Sequence, residues 1–226
     1  AGIAFRNWAW YNSFQHKPIN RIFMEERLYE RFFESINPKL YKAIKKDMKH
    51  ILKRIGSEKI YSIALVTDED CISVYLAANT FDFLRKKDLG ILKSMKQYLS
   101  EDEIRGVENG SYSLTKWIPA EWGYSDDGSG GLTKISRLLF EQEANSPTEY
   151  EKDKHLFFET TTSVLKRLMK ENVFGSYTND ITFFITLSDG DGIYEIENHS
   201  AQQLNSAEVY EKFLHRHEKN CIVVKH

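Results

Sequence analysis

The run Ile181-Thr-Phe-Phe-Ile-Thr-Leu187 constrains the fold more than any other stretch of the chain. It is β-rich and nearly continuously apolar, the pattern of a strand covered on both faces. Such a strand needs neighbours to pair with and helices to cover it. Two neighbours are visible at residues 59–66 and 71–77, joined by Thr67-Asp-Glu-Asp70. A short polar turn between apolar runs joins antiparallel strands, so these read as a β-hairpin.

Helical spacing supplies the cover. Residues 25–36 place apolar side chains at 28, 29, 32, 33 and 36. Asn37-Pro38 is expected to break this helix and open a second, because Pro suits a first helical turn. The second carries Leu40, Ile44, Met48 and Ile51 on one face, lysines on the other, and Gly56 as its stop. Asn79-Thr80 is expected to cap a helix reaching about residue 98, with a polar loop over 100–111 and a third strand over 111–117. A short helix follows at 132–143, then the longest helix, about 148–171. A short strand or irregular stretch is expected after Gly192, a last helix at 206–216, and a terminal strand at 221–224. Helix outweighs strand and no βαβ alternation appears. The expected fold is α+β, a single domain with a central, mainly antiparallel sheet flanked by helices. Residues 1–23 read as an appendage to a domain spanning 24–226, and the glycine-rich Ser125-Asp-Asp-Gly-Ser-Gly-Gly131 as a surface loop within it.

Composition narrows the partners. With 41% apolar and 28% charged residues and a net charge of -2, the bulk chain asks for neither nucleic acid nor membrane. No run approaches the ~18 apolar residues of a membrane span. The N-terminal stretch lacks the apolar centre and cleavage site of a secretory leader. Cys71 and Cys221 have no framework spacing, so a reducing, cytoplasmic setting is the expectation.

Chemistry concentrates in Thr115-Lys-Trp-Ile-Pro-Ala-Glu-Trp-Gly-Tyr124. Two readings stand side by side. Trp117, Trp122 and Tyr124 form an aromatic recognition patch with Glu121 as its charge, or they form a packing corner in which Pro119 sets the turn and Glu121 has a basic partner. Ser188-Asp-Gly-Asp-Gly192 resembles a calcium loop only superficially. Counted from Asp189, the sixth position is Tyr194 and the twelfth Ser200, where an EF-hand needs Gly and Glu. His215 and His217 sit two apart and diverge on a helix, so no zinc set forms in sequence. No nucleophile elbow, phosphate loop, dinucleotide fingerprint, zincin motif or C-x-x-C occurs. Neither metal nor cofactor is expected. The lysines at 39, 42, 45, 46, 49 and 53 lack interleaved aromatics and read as a solvated helix face rather than a nucleic-acid site.

Four features together resemble a bacterial family described as a domain of unknown function. They are Tyr75-Leu-Ala-Ala-Asn-Thr80, the W-x-P-A-E-W-x-Y string from Trp117 to Tyr124, Phe174-Gly175 after the long helix, and Ile185-Thr-Leu-Ser-Asp189 followed by Ser200-Ala-Gln-Gln-Leu-Asn205. The resemblance spans about residues 24–213 and brings no catalytic residue or cofactor with it. It implies a small α+β bacterial protein akin to those similar to the yeast cell-wall-regulator superfamily, which often serve as immunity proteins in toxin systems.

The expectation is therefore a non-enzymatic cytoplasmic binding domain, an immunity protein that neutralises a toxin, with an exposed patch drawn from Trp122, Tyr124, Asp126 and Asp127. Its rival is an enzyme or small-ligand binder with a polar pocket where Glu121, Asn79 and Asp189 converge.

Overall fold

The computed structural model describes residues 19–125, 130–145, 150–175 and 180–218. Its longest element is a helix, α1 (Ile19–Ile55), which runs straight through Pro38. The expected break is absent. Proline in a helix interior removes one backbone hydrogen bond and costs ~3 kcal/mol or more. Set against that is one unbroken stripe of buried side chains on both sides of it: Phe33, Ile36, Leu40, Ile44, Met48, Ile51 and Ile55. Each fully buried side chain of this size contributes about 1.5–3 kcal/mol. The stripe outweighs the proline, and Gly56, at φ +65°, ends the helix as expected.

Strands β1 (Ile60–Thr67) and β2 (Val74–Thr80) form the antiparallel hairpin, and β4 (Thr182–Leu187) pairs parallel with β1. The third strand is not at 111–117. It is the two-residue β3 (Tyr124–Ser125), antiparallel to β2 at the sheet edge. Residues 111–117 are drawn into turns because their amides bond to side chains: Leu114 and Thr115 donate to buried Asp88, and Lys116 to Ser113 Oγ. The sheet order is β3-β2-β1-β4, mostly antiparallel, in a single α+β domain.

Helices follow in order: α2 (Phe81–Met95), α3 (Glu101–Asn109), α4 (Gly131–Asn145), α5 (Tyr150–Lys170), α6 (Ile193–Leu204) and α7 (Ala207–Leu214). Two of them replace expected irregular structure. In α3 a capping box closes the first turn, with Ser100 Oγ accepting from Glu103 N and the Glu103 carboxylate accepting from Ser100 N. The guanidinium of Arg85 bonds the last carbonyls, Val107 and Glu108. α6 hides because two of its buried positions are polar, Glu197 and Ser200, which blur the apolar period. The 221–224 segment lies outside the described residues. So do residues 1–18, while α1 passes through Met24 without interruption.

The sheet separates two cores. Ile63, Leu65, Leu76, Phe183 and Ile185 face α1, α4 and α5. The alternate residues Ala64, Val66, Ala77 and Phe184 face a smaller cluster holding Trp122, Ala201 and Phe213. All of β4 is buried, as its composition requires. Among the described residues no helix is long and apolar enough to cross a membrane.

Candidate functional site

The smaller core opens into a groove, and a β-bulge builds it. Ile60 pairs with Thr80 and Ser62 with Asn79, leaving Tyr61 as the extra residue. A bulge re-aims its side chain. Tyr61 turns onto the tryptophan face, its ring edge-on to Trp117 at 6.0 Å and to Trp122 at 6.1 Å. Its hydroxyl donates to the Lys116 carbonyl (2.8 Å) and accepts from Asn79 Nδ2 (3.0 Å). Trp122 Nε1 donates to the same carbonyl at 3.1 Å, and Asn79 Oδ1 accepts from the Thr80 and Gly123 amides. Burial, opposed by the Asn79 hydrogen bond, pushes the Tyr61 phenol well above its ordinary range.

Five of the sequence-derived site residues therefore gather at one corner, in different roles. Trp122 is 7% exposed, so it is a packing residue and not part of an exposed patch. Asn79, 1% exposed, is a strut between Tyr61 and the turn. Tyr124 donates from its hydroxyl to Glu58 at 2.9 Å, and burial first, then that bond, raises its pKa. Glu121 stays accessible and pairs with Lys87 at 2.6 Å. Trp117 is half-buried, with Phe213 of α7 edge-on at 5.1 Å. Asp126 and Asp127 lie outside the described residues.

Asp189 is elsewhere. Asn79 pairs with Ser62, which pairs with Thr182 at the start of β4, whereas Asp189 follows the end of β4. At ~3.3 Å per residue the two stand roughly 20 Å apart along the sheet. Glu121, Asn79 and Asp189 do not converge. Among the described residues no cluster of three or more His, Cys, Asp or Glu side chains could hold a metal ion.

What the groove exposes was not legible beforehand. It encloses about 590 Å³, floored by Tyr61, Trp117 and Phe213, with Phe81 and Ile118 on its edge, each 47% exposed. Lys116 also lines it, its Nζ 5.0 Å from the Trp117 ring centroid and 5.9 Å from that of Tyr61. Burial lowers its pKa. Its place directly before Trp117 was the one available signal. Arg216 also lines the groove. Its Nη2 donates to Glu197 (2.6 Å) and its Nη1 to Asn198 Oδ1 (2.6 Å) and the Phe213 carbonyl (3.0 Å). Nothing in the 215–217 pattern singled it out. His217 has its pKa lowered by burial and then by the neighbouring Arg216 charge; half-buried His215 has its own raised by Glu218 and Glu211.

A larger cleft of about 920 Å³ lies between α5 and α6. Three of its charged groups have partners, Lys166 with Gln203, Arg167 with Glu171 and His155 with Glu159. The smaller groove, with its aromatic floor and exposed apolar edge, is the better candidate.

A family model described as a domain of unknown function (DUF4303) matches residues 40–206, nearly three-quarters of the chain and all of the corner from Tyr61 to Tyr124. No curated protein and no solved structure matches the chain.

Proposed function

The chain belongs to the DUF4303 family, a domain of unknown function, and from the geometry of its tryptophan corner we propose a non-enzymatic, cytoplasmic protein-binding domain. The partner segment lies in the groove between that corner and α7. The observation that carries this reading is the pairing of an aromatic floor with two exposed apolar side chains, Phe81 and Ile118, at the groove edge. Solvated large apolar groups beside a preformed groove are the usual anchors of recognition. Lys116 adds a positive charge, so the occupant is a segment combining apolar with acidic side chains. The more specific role, an immunity protein holding a bacterial toxin inactive, is supported by the sequence resemblance and is compatible with a groove of this kind.

Peptide display tests the binding surface. A random library is panned against the folded chain and against the Phe81→Asp/Ile118→Asp variant, with circular dichroism confirming the variant's fold. Peptides rich in aromatic and acidic residues should be retained by the first and lost by the second. Losing an anchor costs 2 kcal/mol or more, about thirtyfold in affinity. If nothing is enriched, or if the variant retains the same peptides, the groove is not the binding surface.

A further inference from the structure

Ion pairing within the groove leaves one positive charge over. Lys212 is paired with Glu208 at 2.7 Å, and His215 with Glu211 and Glu218 at 3.1 and 2.7 Å. Arg216 is paired with Glu197 at 2.6 Å. The two acids that line the groove are engaged as well, Asp180 by Lys59 at 3.9 Å and Glu218 by His215. His217 is held toward its neutral form by burial and by Arg216. Lys116 is the exception. Among the described residues no carboxylate lies within ion-pair distance of it, and its ammonium rests on the faces of Trp117 and Tyr61. A partly desolvated cation without a counter-charge is costly to keep, and an arriving anion removes that cost.

Arg216 offers the occupant no second charged contact. The Arg216 side chain is only 1% exposed, and its Nε has no hydrogen-bond partner among the described residues. That nitrogen is closed off from solvent and out of reach of a groove ligand, so the charge of the occupant falls to Lys116. Lys116 and Arg216 line the same groove.

We propose that Lys116 forms an anion-recognition subsite that takes one carboxylate or phosphoryl group of the segment bound in the groove. The proposal rests on the binding reading above and narrows it: the occupant carries an acidic or phosphorylated side chain next to an apolar one. The aromatic floor takes the apolar residue, and the ammonium takes the charge. The corner is suited to this because two hydrogen bonds, from Tyr61 and Trp122, hold the Lys116 carbonyl in place before any ligand arrives, and Asn79 in turn holds the Tyr61 hydroxyl.

The test uses the full chain and three acetylated, amidated peptides that differ only in one central residue, Glu, phosphoserine or Gln, flanked by Phe and Leu. Affinities are measured by calorimetry on wild type, Lys116→Met, Lys116→Arg and Phe81→Asp. On wild type the Glu peptide should bind about tenfold tighter than the Gln peptide, the weight of one charge-assisted hydrogen bond. That preference should vanish in Lys116→Met and survive in Lys116→Arg, a rescue that a purely structural lysine would not show. Preference for phosphoserine over Glu identifies a phosphoryl group as the anion; the reverse identifies a carboxylate. Equal binding of the Glu and Gln peptides overturns the subsite, and the groove reading survives that result if Phe81→Asp loses both. No binding of any peptide at millimolar concentration overturns both.

Discussion

Replacing Glu197 with alanine should cost the fold about 3–5 kcal/mol, because it strands a buried charge. The Glu197 and Arg216 side chains are 6% and 1% exposed, 2.6 Å apart, and Glu197 Oε1 also accepts from Thr186 Oγ1 at 2.7 Å. With the carboxylate gone, the guanidinium keeps only Asn198 Oδ1 and the Phe213 carbonyl as acceptors, and its Nε is already without one. Removing both charges is a different experiment. A Glu197→Leu/Arg216→Met variant deletes the pair together with its desolvation cost, and such replacements are often close to neutral. The double variant should therefore recover more than half of the single variant's loss. Urea unfolding followed by tryptophan fluorescence reads both, since Trp117 packs on Phe213 in the turn of chain that carries Arg216. With an m-value near the upper end of about 1–3 kcal/mol/M, the single variant's midpoint should fall by roughly 1–1.7 M. A loss below about 1 kcal/mol, or a double variant no better than the single, would refute the reasoning that an uncompensated buried charge governs this corner.

Two further outcomes follow from the packing. At Gly131 an added Cβ would lie 2.7 Å from Ala43 Cα, a backbone atom that cannot give way, so Gly131→Ala must push α4 off α1. About 1–3 kcal/mol should be lost, and Tm should drop by roughly 2–4 °C per kcal/mol in a scanning melt; an unchanged Tm would contradict so close an approach. Burial, the largest influence on Cys71, pushes its thiol up to about 12 from an ordinary 9.0. The folded state then holds the proton that the unfolded state releases, so stability is intact below pH 9 and declines as pH rises from 9 toward 12. In a Cys221→Ser background, a thiol reagent at pH 8 should label nothing in the native protein and one equivalent in urea. Rapid native labelling would mean that Cys71 is accessible.

The elements readable in advance were those whose buried residues are apolar and regularly spaced. The hairpin, β4, α2 with its Thr80 cap, and α4, α5 and α7 all stand near their expected places. α3 was legible in principle, since Ser100 and Glu103 carry the capping-box spacing, but its mostly polar composition resembles a loop. α6 was not, because Glu197 and Ser200 occupy its buried face and their partners come from β4 and from Arg216, just past α7. The candidate site divides the same way. The aromatic string marked the right corner, yet composition does not say which aromatic faces inward. Trp122 is buried and Trp117 forms the floor because a bulge at Tyr61 and the close approach of α7 decide which ring has room.

By itself, then, the sequence determined the period of most apolar segments, and with it four of the helices, the hairpin and a sheet covered on both faces. Periodicity is a local property, set by which side chains one element must bury. Only the tertiary structure decided that Pro38 stays inside a helix, that Asp189 stands a sheet-length from Asn79, and that among the described residues Lys116 has no counter-charge while every other cation along the groove, His217 apart, has one. Each of those depends on energies shared between residues far apart in the chain. Burial offsets a broken hydrogen bond, register places two strand ends, and ion pairs form across elements that spacing alone does not bring together.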